Sequence, residues 1–195
     1  MRCFIAIDFP EDVKRAINEV ILKVRDMGGV VKWVSPGNMH LTLKFLGEVK
    51  DETARDIQKS LSSVCSGHKP FSIYIRGAGA FPDFRSPNVL WAGIEASPEL
   101  EGLFMDIDRA VAEFGFERET RRFSPHLTIG RVKDKRGIEP VMKVLSEFKG
   151  RSFGTVEAKE VLLMKSVLKP AGAEYSRIGV SPLKSQPEKK GSERL

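Results

Sequence analysis

A four-residue phrase occurs twice in this chain of 195 residues, as His-Leu-Thr-Leu at 40–43 and as His-Leu-Thr-Ile at 126–129, with a spacing of 86 residues. Each copy lies in an apolar run that is typical of a β-strand. Because side chains two residues apart in a strand share a face, each copy is expected to present its histidine and its threonine together. The aliphatic residues then face the other way. Two copies at so long a spacing predict an internal duplication and not a solenoid, which needs at least three units.

The segments around the two copies support a duplication. Residues 4–8 and 90–94 are apolar runs related by the same spacing, and both are expected to be strands. Shortly after these runs, Pro10 and Pro98 are each followed by acidic residues, which is typical of the first turn of a helix. We therefore expect a pseudo-dimer built from two similar halves.

Hydrophobic periodicity predicts strands and helices over most of the chain. Besides the two motif runs, strands are expected at 2–8, 30–34, 71–75, 88–96, 156–168 and 174–180, and helices at about 10–27, 52–64, 98–114 and 137–149. Glycine and proline at 77–82 and 85–87 predict a loop there.

The predicted loop suggests the organisation of the chain. It is expected to divide a single domain, residues 1–181, into lobes of roughly 1–82 and 83–181, with strand exchange between them allowed. From residue 182 the sequence becomes polar and charged, which predicts a flexible tail over 182–195.

The composition is that of an ordinary globular chain, with 41% hydrophobic and 30% charged residues and a net charge of +6. A mild basic excess suits an anionic partner such as phosphate or RNA, although a solvated surface alone explains this balance. Cys3 and Cys65 have neither metal-ligand nor disulfide spacing, which favours the reducing cytoplasm. Asp8 interrupts the first apolar run, so no signal peptide is expected. No apolar run approaches the roughly 20 residues that span a bilayer.

Two imidazoles brought together suit general acid–base catalysis, because an unperturbed histidine titrates near pH ~6.5. Two threonine hydroxyls can donate hydrogen bonds to an oxyanion between the rings. A phosphodiester fits this set, and neither a metal nor a cofactor is required. A single His-x-Thr is usually an ordinary strand sequence, but two of the three histidines of this chain occupy the repeated position. The third, His68, lies in a turn and is expected to be exposed and idle.

The two motifs, His-Leu-Thr-Leu-Lys-Phe-Leu-Gly from residue 40 and Pro-His-Leu-Thr-Ile-Gly-Arg from residue 125, resemble the paired signatures of the 2H phosphoesterases. The most similar branch is that of the RNA 2′,3′-cyclic phosphodiesterases, also called 2′-5′ RNA ligase-like proteins. The resemblance implies a bilobal α+β fold, in which each lobe has an antiparallel-rich sheet and two helices, and the two motif strands line a central cleft.

The resemblance also implies an activity, the hydrolysis of 2′,3′-cyclic phosphate ends of RNA to 2′-phosphate ends. His40 would be the proton donor to the departing 3′ oxygen and His126 the proton acceptor that activates water. Thr42 and Thr128 would bind the phosphate oxygens. The residues by themselves do not decide which histidine is the acid and which is the base.

Three further residues are candidate substrate contacts. Arg131 matches a position that contacts substrate in the family, but strand parity places it opposite His126 unless the strand ends or bulges there. Parity places Lys44 on the same face as His40, where it could meet a phosphate or be solvated. Phe45 is interpreted as a core residue, with stacking on a nucleobase as the alternative.

The aromatic and basic residues near the motifs could each have either a structural role or a role in binding nucleic acid. Trp33, Phe81 and Phe123 are expected to pack, with stacking on a nucleobase as the alternative. The densest basic patch precedes the second motif and consists of Arg118, Arg121 and Arg122, diluted by Glu117 and Glu119. This patch could steer a phosphate backbone.

Three functions stay open at this point. The first is the metal-independent cyclic phosphodiesterase, with RNA or an oligonucleotide as partner, no membrane association and a monomeric state. The second is a module that binds RNA ends without turnover. The third keeps the enzyme but changes its reaction to hydrolysis of a small cyclic nucleotide or to 2′-5′ ligation.

Overall fold

The structure, a computed structural model, describes residues 1–170 and 172–184. Its described residues form four α-helices, a short 3₁₀ helix at Pro36–Asn38 and nine β-strands. The elements are β1 Arg2–Asp8, α1 Glu11–Val24, β2 Val30–Trp33, β3 His40–Glu48, α2 Asp51–Ser66, β4 Phe71–Phe81, β5 Val89–Ile94, α3 Pro98–Ala112, β6 His126–Asp134, α4 Glu139–Glu147, β7 Ser152–Ala158, β8 Glu160–Lys169 and β9 Gly172–Pro182.

All nine strands belong to one antiparallel sheet, in the order β7-β4-β5-β6-β3-β1-β8-β9, with β2 paired to β6. The predicted α+β class is confirmed. The two halves of the chain exchange strands across the sheet. β2, from the first half, pairs with β6, and β8, from the second half, pairs with β1.

The centre of the sheet shows the duplication directly. Strands β5 and β6 of the second half repeat the pairing of β1 and β3 in the first, and β3 and β6 are neighbours. The segments 4–8 and 90–94, matched by the spacing of 86 residues, lie in β1 and β5. The predicted register of 86 residues is wrong by one for these two strands, because Asp8 pairs with His40 whereas Gly93, 85 residues after Asp8, pairs with His126.

The helices form where an amphipathic pattern meets a favourable first turn. In α1, Pro10 is the N-cap, Glu11 and Asp12 complement the positive end of the helix dipole, and the residues at helical spacing are buried. The apolar stripes of all four helices join one hydrophobic cluster, which also contains Ile5 and Leu41 of the sheet. We call this side of the sheet the helix face and the opposite side the cleft face.

The predicted loop at 77–82 is wrong for residues 77–81, because β4 continues through them to Phe81. Gly79 makes room for a large neighbour, and Gly77, with a φ of +81°, lies at a register shift of the β4–β5 pairing. A Cβ atom on Gly79 would lie 2.3 Å from the ring of Trp91, its partner in β5. Only glycine lets this indole lie flat across the neighbouring strand.

The end of the chain departs from the prediction as well. Leu183 is buried, and its N–H donates to the carbonyl of Lys159, while the N–H of Lys184 donates to the carbonyl of His68. The flexible tail predicted over 182–195 is therefore wrong for 182–184, and residues 185–195 lie outside the described part. Among the described helices, none has both the length and the hydropathy needed to cross a bilayer.

Candidate active site

The two motif strands meet at a single registered pair in the described residues, in which Leu41 of β3 lies opposite Leu127 of β6. Both leucines are buried on the helix face. Because the strands are antiparallel, the residue before one leucine faces the residue after the other. His40 and Thr128 are therefore neighbours, as are Thr42 and His126. Strand alternation therefore directs the four predicted side chains to the cleft face, on either side of this pair of leucines.

Each histidine ring is held by a backbone carbonyl two residues before it. His40 Nδ1 lies 2.8 Å from the carbonyl oxygen of Asn38, and His126 Nδ1 lies 2.8 Å from that of Ser124. A carbonyl oxygen only accepts, so Nδ1 carries a proton in both rings. In the described residues neither Nε2 has a hydrogen-bond partner, and both Nε2 atoms are available for proton transfer. Sequence reasoning missed Asn38 and Ser124, because a backbone acceptor leaves no side-chain signal.

Aromatic rings fix the orientation of each imidazole. His40 stacks on Phe4 with ring centroids 4.7 Å apart and meets the edge of Tyr175 at 5.3 Å. His126 meets Phe81 edge to face at 5.0 Å. Rings at these distances restrict rotation of the imidazole about its side-chain bonds. Of the candidate stacking residues, Phe81 is thus a wall of the site.

The electrostatic surroundings of the two histidines differ. Burial lowers the pKa of His40, and the Asn38 carbonyl and the charge of Asp8 only partly offset this effect. Asp8 lies directly opposite His40 in β1, whereas the residue opposite His126 in β5 is Gly93. The two halves of the candidate site therefore match in their histidine and threonine residues and differ in the charge beside each histidine.

Asp8 keeps its negative charge through several contacts. Lys14, whose side chain is almost fully buried, binds one carboxylate oxygen of Asp8 at 2.8 Å, and Arg177 binds the other at 2.7 Å. Burial alone would raise the pKa of Asp8. The hydrogen bonds from Lys14, the Phe9 N–H and Arg177 outweigh burial and lower this pKa.

A β-bulge follows the threonine in each motif strand. In β3, Ile5 pairs with Lys44 and Ala6 with Thr42, so the residue between them has no partner. The extra residue turns the rest of the strand over, and strict alternation fails beyond it. Two predictions based on parity are wrong for this reason.

Lys44 does not reach the cleft. It lies on the helix face, where its ammonium donates to Asp108 Oδ1 and to the carbonyl of Glu117, both at 2.6 Å. Phe45 is not a core residue. Its side chain is 62% exposed, and its ring centroid lies 6.0 Å from that of Phe4, beside His40. Because of the bulge, the cleft face carries the exposed ring of Phe45 and not the ammonium group of Lys44.

The second bulge, between Thr128 and Gly130 of β6, changes the face of the sheet on which Arg131 lies. Arg131 is exposed and lies opposite Lys32 of β2, on the side away from the buried Leu90 and Gly130. The sequence predicted that Arg131 reaches the cleft only if the strand ends or bulges after the motif. The bulge is present, and Arg131 lies on the cleft face. Gly130 occupies the position that matches Lys44 and leaves room for Trp33, whose ring would lie 2.9 Å from a Cβ there.

Other sequence candidates lie outside the site. Trp33 packs against the core, and Phe123 stacks on Phe104 with centroids 4.0 Å apart. The prediction that His68 is exposed is only partly correct, since the residue is half-buried and its Nε2 lies 3.0 Å from Asp106 Oδ2. The described residues contain no group of three His, Cys, Asp or Glu side chains placed to share a metal ion.

Comparison with known proteins agrees with this geometry. The family model described as LigT like Phosphoesterase matches residues 7–91 and 94–175, one segment in each half. A protein of Methanothermobacter thermautotrophicus named RNA 2′,3′-cyclic phosphodiesterase is 34% identical over 180 residues, covering 92% of this chain and 97% of the relative. A protein of the same name from Archaeoglobus fulgidus is 36% identical over 180 residues, with 92% and 99% covered.

Solved structures show the same fold. TT0787 of Thermus thermophilus superposes with a TM-score of 0.79 at 30% identity, covering 94% of this chain and 98% of that one. Escherichia coli LigT complexed with 3′-AMP superposes with a TM-score of 0.70 at 25% identity, with the same coverage.

Proposed function

We propose that this chain, which belongs to the family of LigT-like phosphoesterases, hydrolyses the 2′,3′-cyclic phosphate at the end of an RNA strand to a 2′-phosphate. The observation that carries the proposal is the meeting of two His-x-Thr motifs across β3 and β6, each with its ring held by the carbonyl two residues before it. The names of the relatives and the nucleotide bound to E. coli LigT support the same substrate class.

The reaction needs two proton transfers, and the site offers one imidazole for each. His126 Nε2 accepts a proton from water, and the water oxygen attacks phosphorus. The bond between phosphorus and the 3′ oxygen breaks, and protonated His40 gives its Nε2 proton to that oxygen. Water thus adds across one P–O bond, leaving a 2′-phosphate and a free 3′-hydroxyl. Each such proton transfer typically contributes about 10²–10⁴-fold to the rate.

The two threonines stabilise the negative charge that develops on the phosphate oxygens. Their hydroxyls lie on the same face as the rings and donate to the two non-bridging oxygens, which gain negative charge as water attacks. The side chains named here handle every proton and this charge, so we expect turnover without a metal ion.

The proposed roles of the histidines rest on the asymmetry of charge as well as on the family resemblance. A neighbouring carboxylate favours the protonated form of an imidazole. Asp8 supplies this charge to His40, and His126 has glycine in the corresponding place. The charge of the bound phosphate acts in the same direction as Asp8, which suits His40 to donate the proton.

Two further residues are proposed to contact the nucleotide. Phe45, exposed on the cleft face beside Phe4, offers a ring on which a nucleobase can stack. Arg131, opposite Lys32 on the same face, adds a positive charge that attracts the phosphate.

The test is turnover of an oligonucleotide that ends in a 2′,3′-cyclic phosphate, with EDTA present and the product identified. His40→Ala and His126→Ala should each reduce the rate at least 100-fold on the scale of general acid–base catalysis. The third histidine provides a matched control, and His68→Ala should keep wild-type activity. Unchanged substrate, or undiminished turnover by the two motif variants, would refute the proposal. Joined RNA ends as the product would favour ligation instead.

A further inference from the structure

A cavity of about 730 Å³ opens beside the His126 half of the site. It lies between the end of β5, the loop that precedes β6 and the turn that follows α4. Its lining includes Arg76, Trp91, Glu95, Arg122 and Lys149. None of these side chains takes part in the proposed hydrolysis.

The wall of this cavity is made of the residues that hold the second motif. Ser124, whose carbonyl binds the His126 ring, lines the cavity together with Pro125. Gly93 and Trp91, which pair with His126 and Thr128, also line it. The cavity therefore adjoins the residues that pair with and position the second motif.

The charge of the cavity favours an anion, because three cations face a single carboxylate. Arg76 donates to the carbonyl of Gly150 and makes a long contact of 3.7 Å with Glu95. Lys149 lies over the ring of Phe84 and Arg122 is exposed, and neither is ion-paired in the described part of the chain. The cavity thus keeps positive charge that no described protein group neutralises.

Arg122 belongs to the basic patch noted in the sequence, and the structure separates it from its neighbours. Arg118 binds the buried Asp108 at 2.6 Å, and Arg121 binds Glu119 at 3.2 Å. These two arginines stabilise the loop, whereas Arg122 lines the cavity. One member of the predicted patch is therefore available to a phosphate.

A second cavity, of about 510 Å³, adjoins the His40 half and has the opposite character. It is lined by three acids, Asp8, Glu157 and Glu160, and by two cations, Lys159 and Arg177. Arg177 already binds Asp8 and Glu160. A phosphate backbone is therefore repelled on this side and attracted on the other.

We propose that the basic cavity binds the phosphate backbone of the RNA strand that carries the cyclic end. This inference rests on the proposed function and extends it by assigning the site that binds the strand beyond its cyclic end. The cyclic nucleotide occupies the cleft between the rings, and the adjoining phosphates of the strand lie against Arg122 and Lys149.

The experiment compares two substrates, a 2′,3′-cyclic mononucleotide and a short oligonucleotide with the same cyclic end. The double variant Arg122→Ala/Lys149→Ala should lower kcat/KM roughly tenfold for the oligonucleotide and leave the mononucleotide unchanged. Each phosphate contact on a single strand contributes about −0.7 to the slope of log affinity against log salt, so loss of two contacts should make the slope of log kcat/KM against log salt shallower by about 1.4. Arg55→Ala/Lys59→Ala, which removes the same charges from the exposed side of α2, is the matched control.

An equal fall for both substrates, or no fall for either, would overturn the inference. If the wild-type protein hydrolyses neither substrate, the proposed function fails. Fluorescence anisotropy of a labelled single-stranded oligonucleotide then still decides the question. Weaker binding by the cavity variant than by the control variant supports the cavity as a strand site, and equal binding overturns it.

Discussion

Leu43 of β3 and Ile129 of β6 occupy equivalent places in the two halves, 86 residues apart, and each is the extra residue of a β-bulge. Both side chains stay buried in the core. The next position along each strand then also turns toward the helices, as Lys44 and Gly130 do. Phe45 and Arg131 follow, and both lie on the cleft face. A single repeated irregularity thus decides which side chains surround the four motif residues.

The exposed ring of Phe45 leads to a prediction about substrate binding. Phe45→Leu keeps the apolar character but removes the surface on which a base stacks. Stacking of a base on an aromatic side chain is worth about 1–3 kcal/mol, so kcat/KM for a cyclic nucleotide should fall roughly fivefold to 150-fold. Phe45→Tyr, which keeps the ring, is the control. Equal activity of the two variants would show that no base stacks there.

The threonines are predicted to act through their hydroxyls. Thr42→Val and Thr128→Val keep the size of the side chain and remove one donor to a phosphate oxygen. Loss of one donor to a developing oxyanion typically costs about 10²–10³ in kcat, and we expect losses of this order in steady-state kinetics. Thr42→Ser and Thr128→Ser should retain most of the activity. Wild-type rates in the valine variants would mean that the hydroxyls do not contact the phosphate.

Asp8 is predicted to tune the proton donor. Its charge raises the pKa of His40 against the effect of burial, so Asp8→Asn should lower this pKa further. If His40 must be protonated to act, activity is lost as pH rises through its pKa. The alkaline limb of the kcat/KM profile should therefore move to lower pH in this variant.

Glu11→Gln provides the control for Asp8, because Glu11 also contacts Lys14, at 3.4 Å, but does not oppose His40. Its profile should match that of the wild type. Movement of the acidic limb in Asp8→Asn would instead assign His40 as the base and reverse the proposed roles. A profile with no shift would show that Asp8 does not act on His40.

The Lys44–Asp108 pair is predicted to stabilise the fold and not to take part in the reaction. Asp108 is almost fully buried, and Asp108→Asn would leave the nearly buried ammonium of Lys44 without its counter-charge. Breaking a buried ion pair in this way costs about 3–5 kcal/mol, to be measured by urea denaturation. Arg118→Ala should cost about 1 kcal/mol or less, because the Arg118 side chain is half exposed. Equal losses in the two variants would contradict this account.

The same carboxylate predicts a dependence of stability on pH. Burial alone would raise the pKa of Asp108, but hydrogen bonds from Lys44, Arg118 and the Glu119 N–H outweigh it and lower this pKa. Its contribution to stability is therefore present above the unfolded pKa of ~3.9 and is lost as pH falls through the lower, folded value. The difference in unfolding free energy between wild type and Asp108→Asn should shrink in this acidic range. A constant difference down to pH ~2 would rule out the effect.

Much of the architecture follows from local patterns. The stripe of Val13, Ile17 and Ile21 defines α1 because helical periodicity is expressed within a few turns, and acidic first turns mark where the helices begin. The histidine and threonine of each motif share a face because strand alternation holds over three residues. Two copies of one motif in 195 residues point to a duplication before any contact is known.

What the sequence could not determine depends on partners that are distant along the chain. Alternation predicts the wrong faces for Lys44 and Phe45, since a bulge is set by pairing with β1 and the counter-ion of Lys44 is Asp108, 64 residues away. Gly79 suggests a turn from the sequence alone, because its role depends on the indole of Trp91, which lies across it in the neighbouring strand.

Local patterns in the sequence are sufficient to predict the paired motifs, the duplication and the helices, because short-range periodicity and repetition encode them. Three features depend on contacts between distant segments: the motifs meet at Leu41 and Leu127, Asp8 faces His40 and not His126, and positive charge collects beside His126. These features arise where strands from both halves pair. Pairing energies depend on the whole sheet and leave no mark in a local stretch of residues.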